Sequence, residues 1–189
     1  MSKILFLDTE TTGLPKTKGW GDYYNPSQTS YYNDSRLIEI AYIIYDADKN
    51  IVKSVDYLIQ PDGFEITNSK FHGITMDDAI EHGKKLSDVL NEFESDLDDI
   101  GTIVAHNIKF DTNILLSECY RLKKIDIVKK IGMIDRECTM EIGKSYTKSR
   151  KYPKLVELYQ HIFGKTIEQK HRALSDTQIC AQCYYQMNP

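Results

Sequence analysis

The sequence predicts an α/β fold in which a mixed five-stranded sheet, antiparallel where the chain begins, is flanked by helices. Three observations predict it. Strand-length apolar runs crowd the first 60 residues, helical apolar spacing takes over after residue 75, and helix and strand patterns alternate from there. Lys3 to Asp8 is a short apolar run that ends on a carboxylate, the pattern of a central strand buried on both faces. Leu37 to Tyr45 is apolar apart from Glu39, and Ile51 to Ile59 alternates through Val52, Val55 and Tyr57; these are the next two strands. Asp62-Gly63 marks a turn, and Thr75-Met-Asp-Asp supplies the cap and acidic first turn of a helix running toward Gly83. Leu86, Val89, Leu90, Phe93 and Leu97 recur at helical spacing. Thr102 to Ala105 reads as the fourth strand, feeding a helix over Ile108 to Leu122, and Met133 to Thr139 as the fifth. Met140 to Lys151 reads as a polar, basic loop. Pro153 to Phe163 reads as a helix with proline at its first position and Gly164 as its stop, and Ala173 to Met187 as the last helix.

With neither an internal repeat nor a linker, residues 1–189 read as one domain. Its exception is Pro15 to Ser35, a stretch rich in Tyr, Asn, Ser and Gly that is too long for an ordinary connection. A composition of 41% hydrophobic and 28% charged residues suits a soluble globular chain. No apolar run approaches the roughly 18 residues of a membrane span. The four apolar residues between Lys3 and Asp8 are too few for the apolar core of a signal peptide, so an intracellular, cytoplasmic location is expected. In that setting Cys119, Cys138, Cys180 and Cys183 are expected as reduced, packed thiols, and the Cys180-x-x-Cys183 pair as helix packing rather than a zinc site. Met133, Met140 and Met187 read as core fillers, and no glycine loop of the nucleotide-cradling kind is present.

The net charge of −4 hides an asymmetry. Residues 1–103 carry nine basic and nineteen acidic side chains, a balance of −10, whereas residues 104–189 carry fifteen and nine, a balance of +6. An acidic metal-binding side and a basic face for polyanions fit that split, as do solvated helix faces.

Three small patterns carry chemistry together. Asp8 and Glu10 lie two apart at the end of a buried strand and so project from the same face, where two anions repel unless a cation such as Mg²⁺ or Mn²⁺ compensates. In His106-Asn107-Ile-Lys-Phe110-Asp111, Asn107 is a plausible N-cap and Asp111 falls in the first helical turn. In His171-Arg-Ala-Leu-Ser-Asp176, a histidine precedes a carboxylate by five residues at the entry to the last helix. Each alone is an ordinary strand end or helix start.

In this order and with these neighbours, however, the chain resembles the DEDDh family of 3′–5′ exonucleases, which includes the epsilon proofreading subunit of bacterial DNA polymerase III and ribonuclease T. The family's Asp-x-Glu followed by Thr-Thr-Gly is matched by Asp8, Glu10, Thr11, Thr12 and Gly13. Its His-Asn-x-x-Phe-Asp is matched by His106, Asn107, Phe110 and Asp111, and its His-x-x-x-x-Asp by His171 and Asp176. Phe71-His-Gly-Ile-Thr75 resembles a family segment between the first two motifs. The resemblance implies a ribonuclease-H-like fold and two Mg²⁺ or Mn²⁺ ions held by Asp8, Glu10, Asp111 and Asp176. It also implies His171 as general base and a substrate cleft lined by Thr11, Thr12, Gly13, Leu14, His106, Asn107 and Phe110. Gly13 would permit close backbone approach to the terminal nucleotide, and Leu14 would wedge against a base. The implied partners are 3′ ends of single-stranded DNA or RNA, with DNA proofreading or end trimming favoured, and a polymerase or other replication protein; no membrane is involved. His171, in place of a tyrosine, sets the chain in the histidine branch. A non-catalytic nucleic-acid-binding module is the reading of another class, and the retention of all five catalytic positions speaks against it.

The family pattern explains least about Pro15 to Ser35 and the basic Lys144 to Lys154 segment. Trp20, Tyr23, Tyr24, Tyr31 and Tyr32 interleave with Asn, Ser and Gly, which suits either a base-stacking platform or a satellite core. Lys144, Lys148, Arg150, Lys151 and Lys154 would form an opposite, phosphate-holding wall.

Overall fold

The computed structural model describes residues 2–167 and 171–188. The sheet contains β1 (Lys3–Thr11), β4 (Leu37–Tyr45), β5 (Ile51–Leu58), β6 (Ile100–Ala105) and β7 (Asp135–Cys138), in the order β5-β4-β1-β6-β7. β1 pairs antiparallel with β4, as does β4 with β5, whereas β1–β6 and β6–β7 are parallel. The sheet is therefore mixed, with its antiparallel part first in the chain and β1 at its centre, as the apolar runs predict. Between β1 and β4 the chain forms a two-stranded hairpin, β2 (Thr17–Gly19) with β3 (Asp22–Tyr23), and a single 3-10 turn, Thr29–Tyr32.

Alternation along β1 sorts the two layers. Leu5 and Leu7 point into a core closed by α3 (Leu86–Asp96), α4 (Ile108–Arg121) and α5 (Ile125–Met133), in which Tyr42, Leu90, Phe93 and Leu115 are also fully buried. Phe6 points the other way. It joins Val104 and residues of α7 (Leu155–Phe163) and α8 (Ala173–Met187), its ring edge-on to Tyr45 and Tyr184 at 5.4 and 5.3 Å. Asp8 and Glu10 continue the Phe6 row and so face α8, while Thr9 faces α4. Beside β5, α1 (Ser69–His72) and α2 (Met76–His82) close a third, small cluster around Ile38, Ile66, Ile74 and Ala79. Thr75 caps α2 in a full capping box with Asp78.

Several expectations are corrected. β1 runs three residues past Asp8, because β4 keeps pairing with it as far as Thr11 opposite Leu37, across a register shift after Glu10. The segment expected as a loop after Met140 instead opens with α6 (Thr139–Tyr146). Its helicity comes from packing: at Gly143 a Cβ would stand 2.8 Å from Leu158 Cδ1, so the glycine lets α6 and α7 meet. α5 was not expected, although Ile127 and Ile131, four apart, are both buried. The fifth strand begins at Asp135, and Met133, expected in the core, is 80% exposed at the end of α5. Met140 and Met187 do pack against the cores, and all four cysteines are buried and free. Among the described residues no helix is long and apolar enough to cross a membrane.

Candidate active site

Asp8 and Glu10 leave the end of β1 toward α8, and Asp176 lies in the first turn of that helix. Carboxylate oxygens from the three lie within 4.8 Å of one another. Burial, followed by the charges of Asp111, Asp176, Glu10 and Glu39, holds the Asp8 carboxyl well above the ordinary carboxylate range. Glu10 is pushed up to about 8, again by burial first and then by Glu39, Asp176 and Asp111. Hard oxygen donors crowded at an energetic cost to one another fit a divalent cation, which would relieve both causes at once.

Asp111 reaches this cluster from the other side of the sheet. It lies buried in the first turn of α4, and its Oδ1 accepts hydrogen bonds from the Thr9 N–H (3.0 Å) and the Thr9 hydroxyl (2.8 Å). Burial lifts its pKa to about 7 against those two bonds. The residue between the two β1 carboxylates thus docks the fourth one.

What fixes Asp176 is a residue the motifs do not contain. Glu39 stands opposite Glu10 in the β1–β4 register and is fully buried. Its Oε1 accepts from Arg172 Nε at 2.8 Å, and its Oε2 accepts from the Ala173 N–H at 2.9 Å. A carboxylate on β4 therefore caps α8 in place of Arg172, which occupies the cap position without a side-chain bond to the helix. The only sequence signal was one glutamate in a nine-residue apolar strand, since a buried charge requires a partner. His72, from the segment between the first two motifs, is buried beside this pair, and its Nδ1 accepts from the Ile74 N–H at 3.1 Å.

His171 lies two residues before α8, exposed, with its backbone in the left-handed region at φ 47°. A residue with a Cβ rarely adopts that conformation.

The remaining motif residues divide between framework and cleft. Thr11 donates its hydroxyl to the Gly13 carbonyl (2.7 Å). Thr12 bridges the return of the inserted segment: its hydroxyl donates to the Asp34 carbonyl (3.1 Å) and accepts from the Arg36 N–H (2.9 Å). At Gly13 a Cβ would meet the Asp34 carbonyl oxygen at 2.7 Å, so the close approach that requires glycine comes from the protein's own chain. Both ring nitrogens of His106 have protein partners, Nδ1 on the Thr139 hydroxyl (3.0 Å) and Nε2 on the Pro153 carbonyl (3.1 Å). That carbonyl can only accept, so Nε2 carries the proton. Burial holds the ring neutral, with a pKa down to about 4. Asn107 occupies the cap position of α4 at φ 75° but makes no capping bond; its side chain meets the Tyr23 hydroxyl instead.

Leu14 is 78% exposed and divides two cavities. One, of about 280 Å³, is bounded by Trp20, Tyr23, Asn107 and Phe110; the other, of about 390 Å³, by Thr12, Gly13, Phe64 and Asn68.

The exonuclease family model of the RNase T type matches residues 5–184. The chain belongs to that family. No curated protein sequence matches it. Among solved structures, Escherichia coli exonuclease I in complex with a dA16 oligonucleotide superposes with a TM-score of 0.73 at 18% identity, over 100% of this chain and 41% of that one. A second structure of that enzyme gives 0.70 at 15%, over 100% and 41%. Exonuclease I from Methylocaldum szegediense gives 0.67 at 15%, over 99% and 40%. The chain thus spans about two fifths of the length of these proteins, and the likeness is one of fold, the ribonuclease-H-like exonuclease fold.

Proposed function

We propose that the protein is a divalent-metal-dependent 3′–5′ exonuclease that hydrolyses the terminal phosphodiester of single-stranded nucleic acid, DNA before RNA, and releases nucleoside 5′-monophosphates. The observation that carries this reading is the convergence of Asp8, Glu10 and Asp176 within 4.8 Å in a chain of the exonuclease family. The preference for DNA draws on the oligonucleotide complexes of exonuclease I, whose fold this chain shares.

Asp8, Glu10 and Asp176 would hold one ion, and Asp111, docked beside Asp8, would serve a second. Such ions supply Lewis-acid stabilisation of the charge that develops on the attacking and leaving oxygens of an in-line displacement. His171 takes the proton of the attacking water as its oxygen bonds to phosphorus; the bond from phosphorus to the 3′ oxygen breaks, and that oxygen leaves with a proton from solvent. Phe110 and Leu14 offer apolar faces to the terminal bases, while Thr11, Thr12, Gly13, His106 and Asn107 hold the walls behind them. Asp8 and Glu10, raised in pKa, are ready to exchange a proton for a cation, which makes metal uptake release protons.

The test is end-labelled single-stranded DNA and RNA of one sequence, with Mg²⁺, Mn²⁺ or chelator. Stepwise loss of mononucleotides from the 3′ end in metal alone is expected, with closed circular strands resistant. Cutting of circles would make the protein an endonuclease, and full turnover in chelator would remove the metal reading.

A further inference from the structure

The β2–β3 hairpin contributes nothing to the carboxylate cluster, yet Tyr23 at its end is tied to Asn107 at the start of α4. Trp20, the only tryptophan in the chain, sits at the hairpin turn and is 78% exposed. Its ring stacks on that of Tyr152, centroids 5.1 Å apart and planes at 25°, and Lys144 Nζ lies 4.3 Å from the Tyr152 centroid. The two rings form the outer wall of the 280 Å³ cavity whose inner wall is Leu14, Asn107 and Phe110. That cavity therefore shares Leu14, Asn107 and Phe110 with the proposed substrate cleft.

The chain segment that carries each ring is tied to one half of the His106-Asn107 pair. Asn107 meets Tyr23, at the end of the hairpin, and His106 donates to the carbonyl of Pro153, the residue after Tyr152. A tryptophan left this exposed on a pinned hairpin is poorly placed for packing and well placed for a flat ligand. The surrounding charge selects the ligand. Lys109 reaches the cavity and Lys144 its rim, while Lys148, Arg150 and Lys151 stand exposed on the segment leading to Tyr152; among the described residues Glu141 is the one carboxylate in the lining. Flat faces combined with cations suit a phosphodiester chain with unstacked bases.

We propose that Trp20 and Tyr152 form an aromatic clamp that stacks on a nucleobase of the single strand upstream of its 3′-terminal nucleotide, with Lys144 and the cations of residues 148–151 holding the adjacent phosphates. This deepens the nuclease reading and rests on its polynucleotide substrate. The rest of the inserted segment has a different task. Tyr24 and Tyr31 stack on each other at 3.7 Å, the Tyr32 hydroxyl donates to the Tyr24 carbonyl, and Tyr32 is buried in the main core with Tyr31 packed against it, so those rings tie the segment to the body of the protein.

Because the chain has one tryptophan, its emission reads the clamp directly. The experiment titrates the protein in chelator, where turnover is halted, with 5′-labelled oligothymidylate of ten nucleotides, following Trp20 emission and the polarisation of the label together. Saturable quenching that tracks polarisation is expected. Trp20→Leu and Tyr152→Ala should each weaken binding about 5- to 150-fold, with Tyr152→Phe close to the parent. Binding by polarisation with unchanged Trp20 emission, or variants that lose thermal stability while keeping affinity, would overturn the clamp and leave the nuclease reading standing. Failure to bind any oligonucleotide, together with no hydrolysis in metal, would remove both.

Discussion

The carboxylate cluster and the inserted hairpin both border the start of α4, through Asp111 and Asn107, but are built in opposite ways. Asp8 and Glu10 are carried by the central strand, paired with β4 at both positions just beyond the last β6 pair at Phe6, and Asp176 by a helix whose N-terminus is held by the buried Glu39. Moving any of these carboxylates means moving the sheet. The hairpin has two short strands, an exposed turn and a few side-chain anchors. Charged groups that repel one another need the rigid frame, because only a structure that cannot relax keeps them crowded for an incoming cation. A surface that grips a moving polymer needs reach instead, and a hairpin with few buried contacts provides it.

The sharpest break in this comparison is removal of the cluster. Asp8→Ala, Glu10→Ala or Asp176→Ala should reduce hydrolysis to background while circular dichroism reports an intact fold. In chelator their melting temperatures should equal or exceed the parent's, since repulsion is relieved. A variant that turns over at the parental rate would remove its carboxylate from the site.

Next comes His171→Ala, expected to cost about 10²–10⁴-fold in rate while leaving metal affinity nearly unchanged, measured by single-turnover kinetics and metal titration. An equal loss in both would make His171 a ligand or a framework residue.

The third test moves to the root of the inserted segment. Glu118 is buried and accepts from Arg36 Nε at 2.6 Å and Nη2 at 3.1 Å, which ties the returning chain to α4. Arg36→Ala removes both of those bonds and leaves Glu118 with Arg121, whose Nε stands 3.6 Å away, so it should destabilise the protein by about 1.5–3 kcal/mol in urea unfolding. A loss below about 1 kcal/mol would show that the segment is held from elsewhere.

The smallest effect is in pH. The Glu10 carboxyl ionises near 4.5 when unfolded and near 8 when folded, so without metal its favourable, protonated state is fully present below about pH 4.5 and is lost as pH rises through 8. Relative to Glu10→Gln, the parent should therefore lose melting temperature between pH 5 and 8 in chelator, and Mg²⁺ should restore it at pH 8. Parallel curves for the two proteins would mean that Glu10 is not held protonated.

Much of this was legible in one dimension. Continuous apolar runs placed β1 and β4, alternation placed β5 and a helical spacing placed α3, because burial of a strand or helix face leaves its pattern in the chain. The motif spacing brought Asp8, Glu10 and Asp176 to attention, and the three converge in space. By contrast, α6 was read as a loop because its reason to be helical is Leu158, fifteen residues away, which only a glycine at 143 allows to approach. Thr12 and Gly13 looked like substrate contacts, and the structure engages both with Asp34, a carbonyl that no local pattern could have brought there.

By itself the sequence determined the order of the five sheet strands along the chain and the residue types of the cluster, since hydrophobic pattern and residue type are properties of the chain. Tertiary structure alone decided that Glu39 caps α8, that Asp111 is docked through Thr9, and that Trp20 meets Tyr152. Each of these joins residues separated by roughly a hundred positions or more, and the free energy of such a contact exists only once the sheet has closed the distance between them.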